Sequence, residues 1–241
     1  MLYKSLWVID DTDINELLLK YTDSQHTYTE GSLIYQQDDA QDYLFFLVNG
    51  RIKVNLIDSK GTEKTLAIHE PGSFFGETAF FDQYPSFTNA QALKDSVVLF
   101  FTKKQLTNLF TDYPEIVFQI FESMGRKIRL LAFQVEYMSF LKIEQRVVAL
   151  LLSLFESFGK ECSINNTSLY DNCTFKGNCI EGHHLEITIT DQEIAEMIGT
   201  RREAVTKAIN NLKKQKLICK QKRTICCPDL NKLNDFLTNS D

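Results

Sequence analysis

Apolar residues recur along this chain with two different periods, and the change from one to the other divides it. From about residue 27 to residue 101 the pattern is one of short β-rich runs: LIYQ, YLFFLVNG, RIKVNLID, EKTLAIHE and SVVLFFT. Gly31, Gly50, Gly61, Gly72 and Gly76 punctuate them, and Asp58-Ser59-Lys60-Gly61 has the composition of a hairpin turn. Strands at this spacing predict an antiparallel sandwich or barrel. Phe45, Phe46, Phe74, Phe75, Phe80, Phe81, Phe100 and Phe101 are expected to fill its inside. A short helix from Ile14 to Tyr21 is expected to lead into it.

After Lys103 the period becomes helical. KKQLTNLFTDYP reads as a short helix stopped before Tyr113-Pro114, and Pro114 suits the first position of the next one. From there to about Ser139 no breaker intervenes except Gly125. Ile128, Leu131, Val135 and Met138, spaced 3, 4 and 3, start a heptad seam. A helix of roughly 26 residues is roughly 39 Å long, too long for one small β domain to cover. Its spare apolar face is expected to pair with a second copy of itself. Leu141 to Phe158 continues as another helix (Val147, Leu150, Leu151, Leu154, Phe158) ended by Gly159. A polar, Asn-rich loop follows, and Leu185 to Ile189 alternates as a strand.

The stretch from Thr190 to Ile218 predicts two helices joined by a tight turn. Thr190 with Glu193 and Thr200 with Glu203 both have capping-box spacing, and Gly199 lies between them. In the second helix Val205, Ala208, Ile209 and Leu212 form one apolar stripe. The opposite face carries Arg202, Glu203, Thr206, Lys207 and Asn210, side chains suited to base edges. A helix apolar behind and basic in front, held by a partner helix, fits a major groove: a helix-turn-helix. LICKQKRTICC then predicts a two-stranded wing whose basic tip, Lys220 to Arg223, lies against phosphates. Asn231 to Leu237 is expected to form a small last helix.

Charge sharpens this picture. The chain of 241 residues carries a net charge of −6, yet Thr200 to Arg223 holds nine Lys or Arg against the single acid Glu203. A basic patch on an otherwise acidic protein is the footprint of a polyanion partner, here double-stranded DNA. The length suffices for two domains. The first residues, MLYKSLWVIDDTDIN, do not read as a signal peptide, and no run approaches the roughly 18 apolar residues of a membrane helix. Six cysteines without an export signal point to the cytoplasm. No assembled Ser-His-Asp set, phosphate loop or HExxH motif is present, so no enzyme activity and no cofactor are expected.

Three segments, GSFFGETAF (72–80), FLKIEQRVVALLL (140–152) and TDQEIAEMIGTRREAVTKAINNLKKQKLI (190–218), together resemble the Crp–Fnr family of bacterial transcription regulators. The resemblance implies an α+β chain with an N-terminal antiparallel β-roll, a cyclic-nucleotide-binding-like jelly roll, over residues 1–112. A long dimerisation helix over 113–140 and a C-terminal winged helix-turn-helix over 141–241 would follow. It implies a homodimer whose ligand domain rotates or orders the long helix, setting two DNA-binding domains for two half-sites, with RNA polymerase as a further partner. By the same likeness Arg202, Glu203 and Lys207, with Thr206 on their face, read bases in palindromic, G·C-containing half-sites with a GTGA-like core. Lys207 stands where cyclic-AMP-responsive members have Arg, which relaxes one position. Thr200, Arg201 and Lys213, with Lys222 and Arg223 of the wing, are placed for phosphates.

The likeness also frames the sensor. The family's cyclic-nucleotide pocket uses a Gly-Glu pair, present as Gly76-Glu77, then an Arg followed by Ser or Thr. This chain has Phe87-Thr88 instead, and the polar positions that bind adenine fall on Leu131 and Ala132. A buried phosphate without its Arg is heavily penalised, so cyclic AMP is not the expected ligand. The pocket either takes a small apolar or aromatic effector or is filled by its own side chains in a constitutively active protein. A third reading is a metal or redox role for Cys173, Cys179, His183 and His184, with Cys162 nearby. No cysteine precedes Cys162 to hold an iron–sulfur cluster. Cys226 and Cys227 point to opposite faces of a strand, and His26 and His69 read as surface residues, not haem ligands.

Overall fold

The computed structural model describes residues 8–9, 15–22, 24–162 and 182–238. They fall into two compact units that divide within a long helix, one over residues 7–132 and one holding residues 133–241.

The first unit runs β1 (Val8–Ile9), α1 (Asn15–Leu18), β2 (Gln25–Tyr28), β3 (Leu33–Tyr35), β4 (Leu44–Ile57), β5 (Glu63–His69), β6 (Phe74–Phe75), α2 (Glu77–Asp82), β7 (Asn89–Phe101) and α3 (Lys103–Asp112). Its strands pair in the order β1-β5-β4-β7-β2, with β3 also on β7 and β6 on β4. Among the described residues only β1 and β5 pair in parallel; the other pairings are those of the expected antiparallel roll. The turn at Asp58 forms as expected: the Asp58 N–H donates to the Thr62 carbonyl at 3.0 Å and the Gly61 N–H to the Asp58 carbonyl at 2.9 Å.

YLFFLVNG and RIKVNLID, two runs in the sequence, are a single strand. Gly50 does not turn the chain; it sits inside β4 at φ +99, where the ladder to β7 slips register. A bulge is a second use for a positive-φ glycine in a strand. The buried Ser96 hydroxyl repairs the ladder there. It accepts from the Arg51 N–H at 3.1 Å and donates to the Lys94 carbonyl at 2.7 Å.

Because strand residues alternate between faces, β4 feeds two cores. Phe45, Leu47 and Ile52 pack inside the roll with Tyr35, Phe75, Ala90, Ala92 and Val98. Leu44 and Phe46 face the other way, onto Leu18 of α1, Leu106 and Leu109 of α3, and Phe74, Leu99 and Phe101. Each fully buried Phe contributes about 1.5–3 kcal/mol. The phenylalanines thus do not all fill the inside of the roll, and Phe81 lies in neither core, being 47% exposed.

The long helix, α4, spans Glu115–Phe140, 26 residues. Ile116, Ile120 and Leu130 are buried. On the other side Phe118 is 74% exposed, Phe121 63%, Ile128 66% and Val135 65%.

The second unit continues with α5 (Ile143–Phe158), β8 (Gly159–Glu161), β9 (His183–Leu185), α6 (Asp191–Ile198), α7 (Arg202–Lys214), β10 (Cys219–Gln221), β11 (Thr224–Cys227) and α8 (Leu230–Thr238). The short strands pair in the order β10-β11-β9-β8. The strand expected over Leu185–Ile189 lies earlier, over His183–Leu185, where antiparallel partners stand on both sides. Among the described residues no helix is long and apolar enough to cross a membrane.

Candidate functional site

Two regions gather the chemistry: the exposed side of α6–α7 with the β10–β11 wing, and a cavity in the roll.

The helix pair is built by local signals. At the start of α6 the Thr190 N–H donates to Glu193 Oε2 at 2.7 Å, and the Glu193 N–H donates to Thr190 Oγ1 at 3.1 Å, the expected capping box. Gly199 ends α6 at φ +69, and the Thr200 N–H turns back to the Ala195 carbonyl at 3.0 Å. That bond places Thr200 in the turn. The expected Thr200–Glu203 capping box does not form, because α7 begins one residue later with Arg201 at its N-cap and no side-chain cap. Val205, Ala208, Ile209 and Leu212 are buried as the stripe requires.

Opposite that stripe Arg201, Arg202, Glu203, Lys207, Asn210 and Lys213 are exposed. Thr206 is half-buried, and its hydroxyl donates to Asp191 Oδ2 at 2.5 Å. In the wing Lys222, at φ +51, and Arg223 are exposed at the tip, and the Arg223 carbonyl accepts from the Ile189 N–H at 2.9 Å. Lys220 is not part of the tip: its side chain is 9% exposed and pairs with Asp191 Oδ1 at 2.6 Å.

Asp191 was not singled out by the sequence. One carboxylate ties the first residue of α6 to α7 through Thr206 and to the wing through Lys220. Its partners lie 15 and 29 residues away, so no local spacing announces it. Burial pushes the Asp191 carboxyl up, but hydrogen bonds from Lys220 and Thr206 and the charges of Lys220 and Arg202 hold it, on balance, below the usual range. A carboxyl whose folded pKa is depressed stabilises fully above its unfolded value of about 3.9 and loses that contribution as pH falls through the folded value. Asp191→Ala should therefore destabilise the C-terminal unit by about 1–2 kcal/mol at pH 7 and by much less at pH 3. Urea melts at both pH values check this; an equal loss at both would contradict it.

The cavity has a volume of about 90 Å³ and is lined by Gly76, Glu77, Phe87, Thr88 and Leu131 among others. Ala132 is exposed and is not among the lining residues. Gly76 is required by the fold whatever the cavity holds: it sits at φ +76, and a Cβ there would come within 2.6 Å of the Phe45 ring. Lys127 of α4 donates to Glu77 Oε2 at 2.9 Å and to the Phe74 carbonyl at 2.6 Å. Thr88 is buried beside Tyr35, the two hydroxyls 3.4 Å apart. His69, expected at the surface, is 3% exposed because the last residue of β5 turns inward, and it lines the cavity. Burial first, and the Lys127 charge second, hold its pKa well below the usual range, so the imidazole is neutral. Its Nδ1 has no hydrogen-bond partner among the described residues.

Tyr35, His69 and Lys127 were missed in the sequence. Lys127 stands one turn before Leu131 on the same helix and was within reach of that spacing. Tyr35 and His69 depend on strand register.

Cys173 and Cys179 lie outside the described residues. Cys162 Sγ lies 3.8 Å from His184 Nδ1, and His183 and His184 pair in register with Cys227 and Cys226. Among the described residues no three His, Cys, Asp or Glu side chains form a group suited to a metal ion.

Comparison with known proteins gives two family matches: Cyclic nucleotide-binding domain over residues 25–113 and Crp-like helix-turn-helix domain over residues 145–236. The CRP-like cAMP-activated global transcriptional regulator of Mycobacterium tuberculosis is 26% identical over 184 residues, 76% of this chain and 74% of its own length. The cAMP-activated global transcriptional regulator CRP of Salmonella typhimurium is 25% identical over 201 residues, 83% of this chain and 87% of its own. In fold, the structure of a CooA mutant from Carboxydothermus hydrogenoformans matches with a TM-score of 0.77 at 23% identity, covering 95% of this chain and 97% of that one.

Proposed function

Since this chain belongs to the Crp–Fnr family of bacterial transcription regulators, we propose that it acts as a homodimer on palindromic duplex DNA, as an activator that engages RNA polymerase beside its site. The observation that carries this reading is the exposed row Arg202, Glu203 and Lys207 on α7, with an apolar stripe behind it and cationic Lys222 and Arg223 at the wing tip. Arg202 reads guanine O6/N7 and Glu203 accepts from cytosine N4, so the half-site contains G·C pairs. Lys207 reads alongside them. Thr206 donates its hydroxyl proton to Asp191 and so has none to offer a base edge. Thr200, Arg201 and Lys213 hold phosphates, fixing register without reading sequence. Selection from a random duplex pool tests this: a two-fold symmetric, G·C-containing site is expected, and an enriched pool without symmetry would overturn it. Arg202→Ala should cost about 1–3 kcal/mol and relax preference at one guanine; an unchanged preference in the same selection would count against the assignment.

Pairing runs along α4. Ile128, Leu131, Val135 and Met138 form the seam, and the exposed Phe121, one heptad before Ile128, extends it towards the helix start.

The signal is an effector other than cyclic AMP. Glu77 is held by Lys127, Phe87 stands where the phosphate's Arg would be, and Leu131 offers adenine no hydrogen bond. Millimolar cyclic AMP should leave the melting temperature unchanged, whereas a clear rise would restore it as ligand.

A further inference from the structure

Only two charged side chains, Glu77 and Lys127, are among the described residues lining the roll cavity, and they neutralise each other. Both are mostly buried, at 15% and 14% exposure, and the ammonium spends a second hydrogen bond on the Phe74 carbonyl. The remaining basic group, His69, is neutral. An anion entering this space would therefore find no uncompensated cation, and a buried charge without a partner is strongly disfavoured. A neutral molecule leaves the balance intact. Most of the wall is apolar, with Val54, Leu66, Ala79, Leu130 and Leu131 around the Tyr35 ring. Beside the Glu77–Lys127 pair the polar lining is Thr78, Ser86, Thr88 and the His69 imidazole; Ser86 and Thr88 have hydrogen-bond partners, whereas His69 keeps a buried nitrogen that no described residue satisfies. A hydroxyl both donates and accepts, so it suits the imidazole in either tautomer. Size sets the last limit: a dry cavity of roughly 150 Å³ encloses benzene, so about 90 Å³ encloses less than a full ring, and a single ring is seated only with part of it in the mouth, where Phe87 and Leu131 are exposed.

We propose that this cavity binds a small, neutral, largely apolar molecule carrying one hydroxyl group, no larger than a phenol. The inference rests on the reading of the cavity as the effector site of a DNA-binding regulator, and it names the ligand's chemistry. The molecule's body displaces water from the apolar wall, its hydroxyl meets His69, and the Glu77–Lys127 pair stays closed beside it. Because Lys127 is carried by the helix proposed to hold the dimer, occupancy and subunit pairing share one element.

The test uses the full chain with three probes of similar shape: phenol, toluene and benzoate, followed by calorimetry and thermal melting near neutral pH. Phenol should bind saturably and raise the melting temperature, toluene should bind about tenfold more weakly for want of the hydroxyl, and benzoate should not bind. His69→Phe should erase the preference for phenol over toluene. Glu77→Gln leaves the Lys127 charge uncompensated and should open the cavity to benzoate. Benzoate binding as tightly as phenol in the unaltered protein, or no saturable binding of phenol, would overturn the proposal. Duplex binding measured without any probe separates the two readings. Its failure removes the regulator reading and leaves the cavity result standing, while phenol failing on a protein that binds DNA removes the ligand class alone.

Discussion

Ile128→Asp combined with Val135→Asp should convert the protein to a monomer and weaken its hold on a two-half-site duplex by about 10²–10⁴-fold. Both positions are about two-thirds exposed, at 66% and 65%, so within one subunit the new carboxylates meet water and disturb no packing. Across a seam of two parallel helices the same carboxylates face their own copies in an apolar contact, where unpaired charge is expelled. Leu131 is a poorer probe of the seam because it also lines the cavity. Sedimentation equilibrium reads the assembly state, and fluorescence anisotropy on a labelled duplex reads the affinity. An intact dimer in the double variant would show that α4 is not where the subunits meet.

The second large effect is expected far from any binding surface. Gly50→Ala should destabilise the first unit by about 2–4 kcal/mol. A Cβ at Gly50 would lie 2.6 Å from the Asp95 carbonyl oxygen and 2.6 Å from Ser96 Cα, backbone atoms that move only if β7 moves. The residue would also have to hold φ +99, outside the usual range of an L side chain. Gly61 supplies the control: its φ of +78 is similar, but nothing lies within 4 Å of a Cβ there. Gly61→Ala should cost only about 1 kcal/mol, the left-handed penalty alone. Urea melts of the two variants separate close approach from backbone conformation, and equal losses would mean that the slipped register at β4 tolerates a side chain.

Those two glycines also mark how far the fold was legible. Glycine at positive φ looks the same in a sequence whether it turns a hairpin, as at Gly61, or kinks a continuous strand, as at Gly50. Helical periodicity was more informative. The stripe Val205, Ala208, Ile209 and Leu212 and the unbroken run now seen as Glu115–Phe140 needed only residue spacing, a property local to each element. Thr200 misled because capping-box spacing is necessary without being sufficient. The Schellman-like turn after Gly199 had already claimed its N–H. Phe81 misled because apolar character does not say which side of a short helix faces in.

The candidate site divides along the same line. Arg202, Glu203 and Lys207 were readable because one helix carries them all. The cavity's decisive groups, Tyr35, His69, Glu77 and Lys127, come from β3, β5, α2 and α4 and meet only when the roll closes. Asp191 is the clearest case of a residue that spacing does not reveal, since its meaning lies in Thr206 and Lys220, brought to it by two other elements. Charge along the chain gave Lys220 to the polyanion-facing patch, whereas the fold spends that charge inside the protein.

Hydroxyl-radical footprinting on the selected duplex probes the central claim most directly, since it reads how many α7 helices lie on the DNA and how far apart. Two symmetric protected tracts, their centres one helical turn or a whole number of turns apart at about 10–10.5 base pairs per turn, are predicted for a paired regulator. A single tract, or uniform protection independent of sequence, would contradict it.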